Sequence, residues 1–238
     1  MDQWPEQHLS EAKIGAAEDV QLEVESFFSN FYECEVMFFP SARSALFHLS
    51  IYYRIGRDEE IVIPRWSSHC LYNAFGFAGT PSVHIKDPKL ILLNHKWGYL
   101  HSSEGATDNT PLIEDSVDSL ILNKKGLFQR NGEFEIISLS KLLGLPGGCI
   151  VFMKSNETKR KLTKIVDENN SPKLNSFFWS FKKKYFDNRK VNQHEFHIAN
   201  QLEPLISRAT DDQLMNFKGI EKKYLEVLKV ISERYYKV

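Results

Sequence analysis

Cysteine is scarce. The 238 residues hold three, Cys34, Cys70 and Cys149, an odd number with no metal-ligand spacing. That argues against a disulfide framework and places the expected protein in a reducing compartment, the cytoplasm. The eight histidines are scattered, and none completes a zinc pattern with these cysteines. No apolar run approaches membrane-span length, and the polar N-terminus does not read as a signal peptide, so no membrane partner is expected. An excess of one charge is lacking too. Thirty Lys+Arg face 31 Asp+Glu, a net charge of -1, which gives no global field for nucleic acid. There is no internal repeat and no low-complexity tract.

What remains is an ordinary globular composition, 42% hydrophobic and 26% charged, long enough for one large domain or two small ones. The segmentation is an N-terminal arm and helix (1–35), an α/β core (36–155) and a helical C-terminal segment (156–238). The spacing predicts a helix over Asp19–Phe31 and a strand over Val36–Phe39. A helix capped by Ser41 follows, running to about Arg54. Further strands are expected at Ile61–Ile63, Ser82–Lys86, Leu90–Asn94 and Leu112–Asp115, with a helix over Leu71–Ala78. Ser119–Asn123 reads as a strand or a helical turn. Near-continuous apolar strands alternating with helices indicate a mostly parallel sheet covered on both faces.

The central stretch is Glu133–Met153, EFEIISLSKLLGLPGGCIVFM. Two short apolar strands flank a tight lysine-bearing turn, Ser138 to Lys141, and a loop bent by Gly144, Pro146, Gly147 and Gly148. A lysine at the mouth of a buried strand is unusual, because burial makes an amine nucleophilic. Taken alone, it reads more cheaply as a strand end pointing to water. The capped helix at Ser41 with Arg43 in its first turn offers free N–H groups to an anion, although an ordinary cap explains it as well. Ligands collect at the carboxyl ends of parallel strands. Candidates converge there: Ser41–Ser44, Arg65–His69, His95, Asp115 and Ser138–Lys141. The aromatic and lysine stretch from Phe177 to Phe186 reads as helical packing rather than a single-strand nucleic-acid platform.

Several segments, in order, resemble the DegT/DnrJ/EryC1/StrS group of pyridoxal-phosphate-dependent sugar aminotransferases of fold type I. They are Ser41-Ala42-Arg43-Ser44-Ala45-Leu46, Asp58 to Pro64, Gly79 to Asp87, Leu112 to Ser119, Ser138 to Gly148, and Asn188-Arg189 with Gln201-Leu202. The resemblance implies a three-layer fold-type-I large domain followed by a truncated helical part. It also implies pyridoxal 5'-phosphate as cofactor. Lys141 would hold that cofactor covalently and move a proton, and Asp115 would pair with its ring nitrogen. Ala42, Arg43 and Ser138 would hold its phosphate, with Asn188 reaching across a homodimer.

The departures from the group are also specific. The position of its ring-stacking aromatic falls on Ser68, so Trp66 or His69 would have to stack. Asp118 stands where the group has Gln or His near the ring hydroxyl. The implied function is amino transfer between an amino-acid donor and a keto-sugar nucleotide. The alternative is a catalytically degenerate homologue serving as a binding or assembly protein.

Overall fold

The computed structural model describes residues 17–83, 87–102, 109–145, 147–188, 193–209 and 219–235. A seven-stranded sheet runs through its middle. The strands are β1 (Glu35–Phe39), β2 (Glu60–Val62), β3 (Thr80–Ser82), β4 (Leu90–Asn94), β5 (Leu112–Asp115), β6 (Phe134–Ser138) and β7 (Cys149–Met153). Their spatial order is β1-β7-β6-β5-β4-β2-β3. β7 is antiparallel to both its neighbours, and the remaining pairings are parallel. Glu35 of β1 and Phe134 of β6 both pair with Met153 of β7, so β1 runs the same way as β6. The carboxyl ends of β1, β2, β4, β5 and β6 therefore share one edge of the sheet.

Eight α-helices accompany these strands among the described residues. They are α1 (Ala17–Tyr32), α2 (Ala42–Tyr52), α3 (His69–Gly76), α4 (Leu139–Leu143), α5 (Asn156–Glu168), α6 (Pro172–Asn188), α7 (Gln193–Leu202) and α8 (Ile220–Tyr235). A 3₁₀ turn, Glu203–Leu205, follows α7. Strand alternation divides the core in two. Met37, Phe39, Leu92, Ile113, Phe134, Ile136 and Val151 pack with Leu46 and Leu49 of α2, Phe75 of α3 and Leu162 of α5. Val36, Phe38, Ile137, Ile150 and Phe152 pack instead with Val24 and Phe28 of α1, Leu143 of α4, and Tyr224 and Leu228 of α8. Helices thus cover both faces of a mostly parallel sheet, the three-layer arrangement that the apolar strands require.

β4 and β5 fall on the expected residues, and α1 and α2 within two residues. Other expectations need correction. Lys141 lies in a five-residue helix, not a tight turn. Ser138 caps it by accepting the Lys141 N–H, and Gly144 ends it in the left-handed region at φ 68°. α3 begins at His69 and closes at Gly76, earlier than Gly79 suggested. Ser119–Asn123 is neither strand nor helix. β3 occupies Thr80–Ser82, and residues 84–86 of the expected strand lie outside the described residues. α7 stops at Leu202, where Pro204 enters the 3₁₀ turn. Phe178 and Trp179 are buried with Ala199 and Ile206, so this part of the aromatic stretch packs internally, while Phe177 is exposed.

Candidate active site

The shared strand edge opens into a cleft of about 860 Å³. Parity decides which side chains enter it. Leu90 and Leu92 face the α2–α3 layer, so Asn94 at the end of β4 does as well. The same alternation carries Asp115 from Ile113 and Ser138 from Phe134 and Ile136. Asn94 and Asp115 are register partners on adjacent parallel strands. Asn94 Nδ2 donates to Asp115 Oδ2 at 2.9 Å, and the Val117 N–H donates to Asp115 Oδ1 at 3.1 Å. Asn94 Oδ1 is buried and has no hydrogen-bond partner among the described residues.

Asp115 is 1% exposed. Burial pushes its carboxyl up to about 6, raised further by the Asp118 carboxylate and held back by the Val117 N–H, the Lys141 ammonium and Asn94. The amine and the carboxylate expected to act together are therefore close enough to feel one another's charge. Lys141 lines the same cleft from α4, and its Nζ donates to Asp118 Oδ1 at 2.6 Å. Ser138 Oγ bonds Ser140 Oγ at 2.9 Å while capping α4.

Ala42 and Arg43, in the first turn of α2, line the cleft beside Lys141. Ser41 Oγ accepts the Ser44 N–H at 3.1 Å and so caps that helix. Trp66 and His69 also line the cleft, Trp66 with 79% of its surface exposed. The Arg43 guanidinium pairs with Glu203, 2% exposed. Asn188 ends α6, but its side chain lies outside the described residues.

His95, a strand-end candidate, is corrected. It is one residue out of phase with Asn94 and belongs to a separate hollow on the other side, where its Nε2 bonds Glu114 Oε2 at 2.8 Å. Glu114 is likewise out of phase with Asp115. It accepts the N–H groups of Arg130 and Gly132 and pins the loop before β6. Sequence reasoning missed Asn94, Lys182, Glu203 and Trp97 on the cleft wall. For Asn94 the signal was present, since it continues the Leu90, Leu92 alternation.

The sequence matches a protein-family model described as "Putative PLP-dependent aminotransferase" over residues 24–235. The chain belongs to this family of PLP-dependent aminotransferases. No curated protein matches it. Among solved structures, it is similar to the "putative sugar aminotransferase Spr1654" of Streptococcus pneumoniae in its PMP form. That likeness has a TM-score of 0.60 and 11% identity, over 94% of this chain and 62% of that one. A DegT DnrJ EryC1 StrS aminotransferase from Brucella abortus gives 0.58 at 14% identity, over 95% and 64%. A phosphoserine aminotransferase from Cytophaga hutchinsonii gives 0.51 at 17%, over 90% and 62%. At such identities these likenesses establish the fold, that of fold-type-I aminotransferases. The chain spans between 46% and 64% of the length of the solved structures it matches.

The family's cofactor is pyridoxal 5'-phosphate, and the cleft fits that group on three observations of its own. It is lined by a lysine amine, a buried carboxylate electrostatically coupled to that amine, and the first turn of a capped helix. The orphaned Asn94 Oδ1 adds a polar atom in want of a donor.

Proposed function

We propose that this protein is a PLP-dependent aminotransferase that moves an amino group between an amino-acid donor and a keto-sugar nucleotide. The observation that carries the reading is the placement of Lys141 and Asp115, far apart in sequence, on the wall of one cleft. Lys141 Nζ would hold the cofactor and move the proton at the substrate carbon that bears nitrogen. Asp115 would hold a proton at the cofactor's ring nitrogen. The backbone N–H groups of the α2 N-terminus near Ala42 and Arg43, with Ser138, would receive its phosphate. Trp66 and His69 stand at the cleft where a ring could be covered. When bound, pyridoxal phosphate supplies the electron sink for charge developing at the reacting carbon.

A sugar substrate is supported by the similarity to the Streptococcus structure, which is named a putative sugar aminotransferase. A homodimer in the cytoplasm, with Asn188 reaching the neighbouring cleft and residues 156–238 serving as a helical segment beside the α/β core, completes the proposal. Its test is optical. Purified protein mixed with pyridoxal phosphate should develop a visible absorbance band that Lys141→Ala abolishes. Protein that stays colourless with excess cofactor overturns it.

One observation favours the second reading, a non-catalytic homologue that serves in binding or assembly. Lys141 is engaged by Asp118, a carboxylate that opposes an anionic ring oxygen. Half-transamination measured with any amino acid would dispose of that reading.

A further inference from the structure

Three charged side chains from distant parts of the chain meet on the cleft wall. Arg43 comes from the first turn of α2, Lys182 from α6, and Glu203 from the 3₁₀ turn after α7. Glu203 is shared between the two cations. Its Oε2 takes the Arg43 guanidinium, and its Oε1 lies 3.5 Å from Lys182 Nζ. The carboxylate is sealed at 3% side-chain exposure, while Arg43 and Lys182 keep 25% and 20%. The Lys182 ammonium sits 5.4 Å from the Phe178 ring centroid and 5.2 Å from that of Trp179. Trp179 Nε1 is buried without a partner among the described residues, one more donor lacking an acceptor.

Two cations therefore divide one anion in a partly dry wall. A guanidinium offers five N–H donors and an ammonium three, more than one carboxylate can accept. Once Lys182 is protonated, the cluster carries a surplus positive charge where charge is costly to leave uncompensated. All three residues line the cleft that holds Lys141 and Asp115.

We propose that Arg43 and Lys182 form an anion subsite of this cleft, occupied in the free protein by Glu203, that takes a carboxylate or phosphate group of the substrate. The proposal rests on the reading of the cleft as a substrate site. Glu203 acts as an internal placeholder that competes with the incoming anion. The charged groups facing Lys182 are Arg43 from α2 and Glu203 from the 3₁₀ turn, and the Cys70 thiol of α3 faces Arg43. Burial, with Arg43 beside it, pushes the Lys182 ammonium down to about 7. An anion arriving near neutral pH should therefore draw in a proton.

The experiment is calorimetric titration of the cofactor-loaded protein with succinate and, separately, with inorganic phosphate, at pH 7.5 in two buffers of different ionisation enthalpy. One saturable event is expected, and the tighter probe identifies the group. Lys182→Met and Arg43→Gln should each weaken it by about tenfold or more, as for a lost charge-assisted hydrogen bond. Glu203→Gln should tighten it by a similar factor, because the competitor is gone. Proton uptake should vanish in Lys182→Met. A merely structural cluster would lose stability in all three variants without this opposition of sign. Where Glu203→Gln does not fold, weakening in the other two supports the subsite.

Affinity unchanged in Lys182→Met and Arg43→Gln overturns the subsite. Visible absorbance of each sample, read before titration, separates the two failures. Colour with unchanged anion binding removes the subsite alone, and protein that never colours removes the aminotransferase reading and the subsite with it.

Discussion

Lys141 Nζ donates to Asp118 Oδ1 at 2.6 Å, from the short helix after β6 to the turn after β5. The two side chains keep 38% and 15% exposure, so the pair is a partly screened one worth up to about 1 kcal/mol. It ties the lysine to the turn after β5 at the mouth of the sheet, in the cleft that the buried Asp115 also lines.

Asp118→Asn should therefore take up pyridoxal phosphate more readily. The lysine is released from its counter-ion, and the cleft that would hold the anionic cofactor loses one negative charge. The apparent affinity at pH 7.5 should rise by roughly three- to tenfold, in keeping with a partly exposed pair. Equilibrium titration of the visible band checks it. Weaker uptake would show that Asp118 helps to hold the cofactor.

Asp115 should make the cofactor-free protein less stable as pH rises. Its carboxyl is raised from 3.8 to about 6, so between those values the native state binds more proton than the unfolded chain. Stability then falls as pH climbs from about 4 to about 6 and stays at the lower level above that. Two units correspond to about 3 kcal/mol. Asp115→Asn should remove that slope and raise the melting temperature at pH 7.5. The Asn94 amide can turn its unpartnered Oδ1 toward the new Nδ2. A variant less stable than the parent at pH 7.5 would refute this.

Asn94→Leu should act through Asp115. Loss of the Nδ2 donor removes one hydrogen bond that favours the charged carboxylate, so the Asp115 carboxyl should move still higher. The pH midpoint for cofactor uptake should shift upward in parallel. Asn94→Gln, if its amide regains the bond, should restore the midpoint. A fall in affinity with no shift in midpoint would mean that Asn94 only fills space.

Tyr32 and Tyr224 join α1 to α8 under the sheet. Tyr32 Oη donates to the Ile121 carbonyl at 2.6 Å, which leaves it to accept from Tyr224 Oη, also at 2.6 Å. The two substitutions should be unequal. Tyr224→Phe removes one neutral hydrogen bond, about 1 kcal/mol. Tyr32→Phe strands a buried carbonyl and a buried hydroxyl, about 2–3 kcal/mol. Urea unfolding of both variants distinguishes this order from its reverse.

The sheet was legible where strands are unbroken apolar runs. Leu90–Asn94 and Leu112–Asp115 could be bounded to the residue because both their faces are covered. The lysine segment was not, because glycines and a proline outweighed two good caps: Ser138 and Gly144 close a single helical turn that composition alone would forbid. His95 was favoured over Asn94 because histidine is the more reactive type, although period-two alternation from Leu90 points to Asn94. Lys182 and Glu203 had no local signature. Their meeting with Arg43 depends on how α6 and the 3₁₀ turn fold back on α2, which spacing does not encode.

The Gly148 N–H donates to the Pro40 carbonyl at 2.8 Å, joining the residue before Ser41 to the one before β7. β1 has β7 as its neighbour in the sheet, and β7 is the last strand made. On the ribosome, the early segment that begins the α2 cradle must wait for more than a hundred residues of chain before it can be seated. By then Lys141 has already emerged. A nascent chain stopped short of β7 should therefore carry the amine that would anchor the cofactor but lack the seated cradle for its phosphate.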